Sequence, residues 1–288
     1  MKLLNQLFWS SRPISWINTA FPFAAAYFLA TREISIKLVI GTLFFLIPYN
    51  LLMYGVNDVF DYESDLRNPR KGGIEGALLH PKWHKPTLIW SFASCVPFVV
   101  YLLSIGSLEA NLWLALFIFT VIAYSAKGLR FKEKPFLDSI TSSSHFVGPM
   151  IYGLALAGAN LTQPMLLIAI VSFSLWGVAS HAFGAVQDVI ADREAGISSI
   201  ATVIGARATV RFAFVCYLLA AAMFLAAVWP YQFVAVAALP YLLIVWPHRN
   251  ITDAACEEAN RAWKQFIKLN YLAGFLVTMI LILANLNL

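Results

Sequence analysis

The chain has 288 residues, 60% of them apolar and only 12% charged, with 22 Phe and 9 Trp. A soluble protein carries about 25% charged residues, so this composition excludes a soluble domain and predicts a polytopic membrane protein. The net charge of +5 needs no nucleic acid to explain it, because basic loops facing anionic lipid headgroups suffice.

A helix that crosses a bilayer takes about 20 residues. Apolar windows bounded by charges and turn residues predict nine, at 13–30, 37–57, 87–106, 110–126, 137–158, 164–187, 208–229, 231–247 and 265–285. Together they make an all-α polytopic membrane protein, a single bundle of nine transmembrane helices forming one domain over 1–288. The fifth helix starts polar, with Asp138 and residues 141–144. Pro22, Pro48, Pro97, Pro149 and Pro240 fall inside predicted helices, which packed membrane helices tolerate where neighbours satisfy the freed backbone groups. Ala24-Ala25-Ala26 resembles a cleavage region, but the segment before it serves as a first membrane helix, and no cleavage is expected.

With nine spans and a cytoplasmic N-terminus, eighteen of the twenty Lys and Arg residues fall on the cytoplasmic side, only Arg32 and Lys37 lying opposite. Adding or losing one helix near the middle would destroy this positive-inside asymmetry, which therefore supports the count. Thirteen of the fifteen acids share that side, with Glu33 and Glu109 opposite. The expected location is the cell membrane, with polar chemistry opening to the cytoplasm.

The second predicted helix runs from Ile40 to Val56 without a charge and then meets Asn57-Asp58-Val59-Phe60-Asp61-Tyr62-Glu63-Ser64-Asp65. A continuous helix would place Asn57, Asp58, Asp61 and Asp65 within a roughly 100° arc. One Asp there reads as the solvated start of a loop. Three on one face at a membrane boundary are costly unless something binds them.

At the end of the sixth predicted helix, Gln187-Asp188-Val189-Ile190-Ala191-Asp192 echoes that turn, again with two acids four apart. Two acidic turns at the same membrane depth can face one another. Five carboxylates in one cavity would repel one another unless cations sat among them. Oxygen-only ligands suit Mg²⁺, which bridges carboxylates to substrate phosphates. Five Asp with two Mg²⁺ and a diphosphate leave a charge of about −4. Arg12, before the first helix, and Lys127, Arg130 and Lys132, after the fourth, offset it. The chemistry such a site serves is ionisation of an allylic diphosphate, the metal and basic groups stabilising the departing anion. The allyl cation left behind needs a dry, aromatic-walled cavity. Phe44, Phe45, Tyr49, Tyr54, Phe146, Tyr152, Phe173, Trp176 and Phe183 are available for it or for ordinary packing.

In these residues the chain resembles the UbiA-type intramembrane prenyltransferases. Their hallmarks, Asn-Asp-x-x-Asp-x-x-x-Asp and Asp-x-x-x-Asp, match Asn57, Asp58, Asp61 and Asp65, then Asp188 and Asp192. Their nine-helix α-bundle agrees with the count above. The resemblance implies that the five Asp are catalytic and, with Asn57, bind Mg²⁺. It also implies diphosphate contacts at Tyr124, Ser125, Arg130 and Lys132, beside Lys127 and Arg12. Within the family the chain is most similar to the lycopene elongases of C50 carotenoid synthesis, over residues 11–20, 57–73, 187–205 and 250–254. That resemblance implies transfer of a C5 dimethylallyl unit from its diphosphate to each end of lycopene, giving acyclic C45 and C50 products of the flavuxanthin type. Relatives acting on aromatic quinone precursors share the same acidic turns, and an accessory polypeptide is an open expectation.

The predicted helices offer an anionic acceptor few fixed cations, His145 and His181 being the candidates, and this favours a hydrocarbon acceptor. His181 lies seven residues before Asp188 on roughly the same face, so it either packs or supports a metal shell. His80 and His84 read as surface, Gly72, Gly73 and Gly76 as linker, and Cys95, Cys216 and Cys256 as thiols without metal spacing. A cation-coupled transporter would place its acids near the midplane on broken helices, whereas both clusters here end helices. A CDP-alcohol phosphotransferase would carry its acids in one continuous run, and here they are split.

Overall fold

The computed structural model describes residues 3–66 and 78–286, with the side chains of Ser64 and Asp65 outside the described set. The expectations for Lys2, Arg67, Arg70, Lys71, Gly72, Gly73 and Gly76 lie outside it as well. Among the described residues every regular element is helical. In chain order these are α1 (Leu3–Ser10), α2 (Trp16–Thr31), α3 (Ile36–Leu46), α4 (Pro48–Phe60), α5 (Tyr62–Asp65), α6 (His84–Ile105), α7 (Leu108–Ser125) and α8 (Leu137–Leu156). Then follow α9 (Pro164–Val186), α10 (Val189–Glu194), α11 (Ile200–Ile204), α12 (Ala206–Leu225), α13 (Leu239–Val245), α14 (Ala259–Trp263) and α15 (Phe266–Leu286). Short 3₁₀ turns join several of them, including a two-turn run at Tyr231–Ala238 that leads into α13.

Seven helical stretches among the described residues are long and apolar enough to cross a bilayer: Ile36–Phe60, Pro81–Ile105, Leu108–Ser125, Pro164–Val186, Ala206–Leu225, Tyr231–His248 and Phe266–Leu286. The remaining two predicted spans are also helical, as α2, only 16 residues long, and α8, whose start carries the buried polar residues Asp138, Ser139, Thr141 and Ser143. Large apolar side chains point outward from these stretches, among them Val100, Leu112 and Leu243 at 62–73% exposure. Such surface suits hydrocarbon and not water.

The chain divides into two compact units, the first comprising Met1–Phe131 with Ser144–Leu161 and the second Lys132–Ser143 with Thr162–Leu288. In the first, α2, α3, α4 and the later part of α8 pack an aromatic core of Phe23, Phe44, Phe45, Tyr49 and Tyr152, each at most 1% exposed. Gly41 lets the Phe23 ring lie directly on the α3 backbone, where a Cβ would collide with it. The second predicted helix is broken at Ile47, since Pro48 has no N–H to continue the ladder. Asn50 repairs the break, its amide donating to the carbonyls of Phe45 at 2.8 Å and Leu46 at 3.1 Å and to Thr19 Oγ1 at 2.7 Å.

The second unit is built on α9 packed along α12, with Phe183, Tyr217, Tyr241 and Phe266 at its centre. Two of these rings also satisfy their hydroxyls, Tyr217 with Ser180 at 2.7 Å and Tyr241 with Asn270 Oδ1 at 2.7 Å. The short α11 is held by three caps. Ser199 and Thr202 form a reciprocal capping box, and the fully buried Asp138 carboxylate accepts from the Ile200 N–H at 2.7 Å and the Ser139 N–H at 2.6 Å.

Candidate active site

The first acidic turn is not one continuous helix, which corrects the single arc expected from Asn57 to Asp65. The α4 helix ends at Phe60, Asp61 is its C-cap, and α5 starts afresh at Tyr62. Asn57 and Asp58 thus sit on the last turn of α4, while Asp61 closes it, its N–H donating to the Asn57 carbonyl at 2.9 Å. The side chains tie the same knot. Asn57 Nδ2 donates to Asp61 Oδ2 at 2.5 Å and to Ser125 Oγ, at the end of α7, at 3.0 Å.

The two carboxylates are 1% and 5% exposed, and buried charge demands partners. Arg12 supplies one, its Nη2 lying 2.9 Å from Asp58 Oδ1, with the guanidinium 4.2 Å above the Tyr54 ring. Arg130 lies 4.0 Å from Asp61 Oδ1 and donates to the Phe60 carbonyl at 3.4 Å. Arg12 and Arg130 both adopt the left-handed backbone region, at φ 50° and 41°. For a side chain other than glycine this costs on the order of 1 kcal/mol or more and concentrates at functional sites. Four further residues from the expected set therefore converge with Asp58 and Asp61: Arg12, Asn57, Ser125 and Arg130.

Others stand apart. Tyr124 packs edge-on against His145 with ring centres 5.2 Å apart. Lys127 is exposed and makes no ion pair among the described residues, and Lys132 falls in the second unit. The aromatic rings offered for a cation cavity are mostly core: Phe44, Phe45, Tyr49 and Tyr152 pack on one another in the first unit and Phe183 in the second.

The second acidic turn keeps the expected one-turn spacing, just after a helix break. The α9 helix ends at Val186, Asp188 is the N-cap of α10, and its carbonyl accepts from the Asp192 N–H at 2.8 Å. Both acids are half-buried. Gln187, at the position equivalent to Asn57, turns back into the protein: its Nε2 donates to the Gly184 carbonyl at 2.9 Å, and its Oε1 accepts from Asn260.

Arg193, directly after Asp192, is fully engaged with structure. Its Nε and Nη2 both reach the Thr202 carbonyl, at 3.1 and 2.8 Å, and its Nη1 the Asp253 carboxylate at 2.6 Å. The other Asp253 oxygen caps α12 at the Ala206 N–H, 2.7 Å away. That backbone bond, followed by Arg193, holds the Asp253 carboxyl below the usual carboxylate range. Sequence reading singled out the stretch containing Asp253 without assigning it a role, and passed over Arg193 as a topology charge. The signal for their pairing is a tertiary contact 60 residues apart, which no spacing reveals. His181, expected either to pack or to support a metal, meets Ser139 Oγ at 3.0 Å through Nδ1.

Among the described residues no three His, Cys, Asp or Glu groups gather as a metal cage. Mg²⁺ does not need one, since it takes one or two carboxylates and completes its shell with water and substrate phosphates. Asp58 and Asp61, buried hard oxygens at the end of a membrane span, fit that demand. Both acidic turns stand at the ends of candidate spans, Ile36–Phe60 and Pro164–Val186.

Comparison with known proteins places these residues in a family. The chain is 53% identical over 283 residues, 98% of both chains, to a lycopene elongase/hydratase of Corynebacterium glutamicum. It is 59% identical over 281 residues to the C(50) beta-cyclic carotenoids biosynthesis protein LbtBC of Dietzia, covering 97% of this chain but only 65% of that longer relative. Its fold matches a UbiA homolog from Archaeoglobus fulgidus bound to DMAPP and Mg²⁺, with a TM-score of 0.65 at 16% identity over 94% of this chain and 99% of the other. The model of the UbiA prenyltransferase family matches residues 19–272. The chain belongs to the UbiA prenyltransferase family.

Proposed function

We propose that this prenyltransferase moves a C5 dimethylallyl group from its diphosphate to the ends of lycopene, giving acyclic C45 and C50 carotenoids of the flavuxanthin type. The supporting observation is the buried Asp58–Asp61 pair, matched to Arg12 and Asn57 at the end of an apolar span, with Ser125 accepting from Asn57. Lycopene as acceptor rests on the 53% identity, over nearly all of both chains, to a protein named lycopene elongase/hydratase.

In this reading Asn57, Asp58, Asp61, Asp65, Asp188 and Asp192 hold Mg²⁺. Arg12, Tyr124, Ser125, Lys127, Arg130 and Lys132 receive the diphosphate. Bound Mg²⁺ supplies Lewis-acid stabilisation of the leaving diphosphate. The C1–O bond breaks with its electron pair leaving on oxygen, and the terminal double bond of lycopene attacks the allyl cation. The new tertiary cation either loses a proton or takes up water and releases one, the latter leaving a hydroxyl. Asn57, held by Ser125, orients the Asp61 carboxylate, and the apolar spans exclude bulk water from the cations. The whole chain serves as one catalytic domain with nine spans, its N-terminus and active site facing the cytoplasm, where soluble diphosphate and Mg²⁺ are found.

Expression in a lycopene-producing bacterium tests this reading. Pigment extracts should contain new C45 and C50 carotenoids, more polar than lycopene. Unchanged lycopene, with the protein present in the membrane, would refute the acceptor. New prenylated quinones in the same cells would point to an aromatic ring instead.

A further inference from the structure

Away from the acidic turns, the second unit carries a basic hollow of about 420 Å³ at the polar ends of two neighbouring spans. It is lined by Arg211, Phe214 and Val215 of α12 and by Trp246, Arg249 and Asn250 beyond α13. The start of α12 and the end of the Tyr231–His248 span meet there, since Arg211 Nε donates to the Arg249 carbonyl at 3.1 Å and its Nη2 to Asn250 Oδ1 at 3.0 Å. Arg249 lies 4.4 Å above the Trp246 ring and donates from Nη1 to the Trp246 carbonyl at 3.1 Å. Two guanidinium groups are thus held in place by their neighbours. Their other N–H groups, including Arg211 Nη1 and Arg249 Nη2, have no partner among the described residues.

The floor is apolar and aromatic. Phe214 and Trp246 pack with ring centres 4.9 Å apart, and Val215 and Trp246 remain 49% exposed. Fixed guanidinium forks match phosphate oxygens, and a tryptophan at the end of a span marks the headgroup level of a bilayer. A second hollow nearby shares Arg211 but contains the Asp253 carboxylate, which repels an anion. The first hollow contains no acid, so an anion belongs there.

We propose that this hollow binds the phosphate of an anionic phospholipid, its two forks on the headgroup and its acyl chain lying along Phe214, Val215 and the adjoining lipid-facing surface. The site is separate from the transferase chemistry and does not depend on the acceptor proposed above, so enzyme activity is not its readout.

The full-length protein in detergent, titrated with phosphatidylglycerol, phosphatidylcholine or inorganic phosphate and followed by native mass spectrometry, tests it. The wild type should bind one phosphatidylglycerol about tenfold more tightly than phosphatidylcholine. That preference should largely disappear in Arg211→Gln/Arg249→Gln. It should also disappear in Val215→Trp, which fills the hollow without changing charge and decides the matter if the double variant does not fold. Lys82→Gln/Lys85→Gln removes the same charge from the first unit and should keep the preference. An unaltered preference in Val215→Trp or Arg211→Gln/Arg249→Gln overturns the proposal. So does an equal loss in the lysine control, or displacement of the lipid by inorganic phosphate at equal concentration, which would make the hollow a general anion site.

Discussion

The two acidic turns follow long apolar helices, yet their surroundings differ. Asp58 and Asp61 are buried, and cations arrive from distant positions, Arg12 before α2 and Arg130 after α7. Asp188 and Asp192 are half-buried, and the arginine beside them is committed to Thr202 and Asp253. The amides at equivalent positions diverge in the same way. Asn57 reaches forward to its acid, whereas Gln187 reaches back into the fold. The first turn is tied to Arg12 and Ser125 through Asp58 and Asn57, while beside the second Arg193 braces Thr202 and Asp253.

The largest effect should come from the acids themselves. Asp61→Ala and Asp192→Ala should each lower product formation by on the order of 10³-fold, as removal of a charge-stabilising group does, while the protein stays in the membrane. Product assays on isolated membranes check this.

The arginines separate the turns. Arg12→Gln removes the cation that lies 2.9 Å from the buried Asp58 carboxylate. It should cost about 2 kcal/mol of stability, reduced from the fully buried case because Arg12 keeps some exposure, and about 10²-fold in turnover. Arg193 pairs with Asp253 at 44% and 40% side-chain exposure, where an ion pair contributes at most about 1 kcal/mol. Arg193→Gln should therefore lower activity only about fivefold, by loosening α10. Equal losses in the two variants, measured by thermal unfolding and turnover, would erase the distinction drawn here. Asn50→Leu removes the donor that repairs the Pro48 break and should cost about 2 kcal/mol in thermal unfolding.

Much of this molecule was legible in its sequence. Hydropathy windows located the helices, and the Asp spacing located both turns, because each signal is local. The breaks were not. Asn50 shows why: whether Pro48 bends or ends a helix depends on what satisfies the freed carbonyls, and that donor acts with Thr19, 31 residues earlier. The interruption between Asn57 and Asp65 was hidden for a related reason, since Asp61 terminates α4 as its cap. Asp138 was noticed only as a polar blemish in a helix start. Its role as a cap for Ile200 requires a contact 62 residues away.

The smallest effect is a pH dependence at the brace. The Asp253 carboxyl is lowered by the Ala206 N–H first and by Arg193 second. A depressed carboxyl stabilises the fold at pH values above the ordinary carboxylate range of about 4, and that contribution fades as pH falls through the folded value. Asp253→Asn should thus be less stable than wild type at neutral pH. The difference should shrink as the medium is acidified below pH about 4, followed by thermal unfolding of both proteins across that range.

Purified protein given dimethylallyl diphosphate and lycopene, first stripped of divalent ions and then titrated with Mg²⁺, puts both turns to one trial. Wild type should form C45 and then C50 product only as Mg²⁺ is restored, and Asp61→Ala and Asp192→Ala should form on the order of 10³-fold less of either at every Mg²⁺ concentration. Product without divalent ions, or full turnover in either variant, would contradict the proposed metal-dependent roles of Asp61 and Asp192.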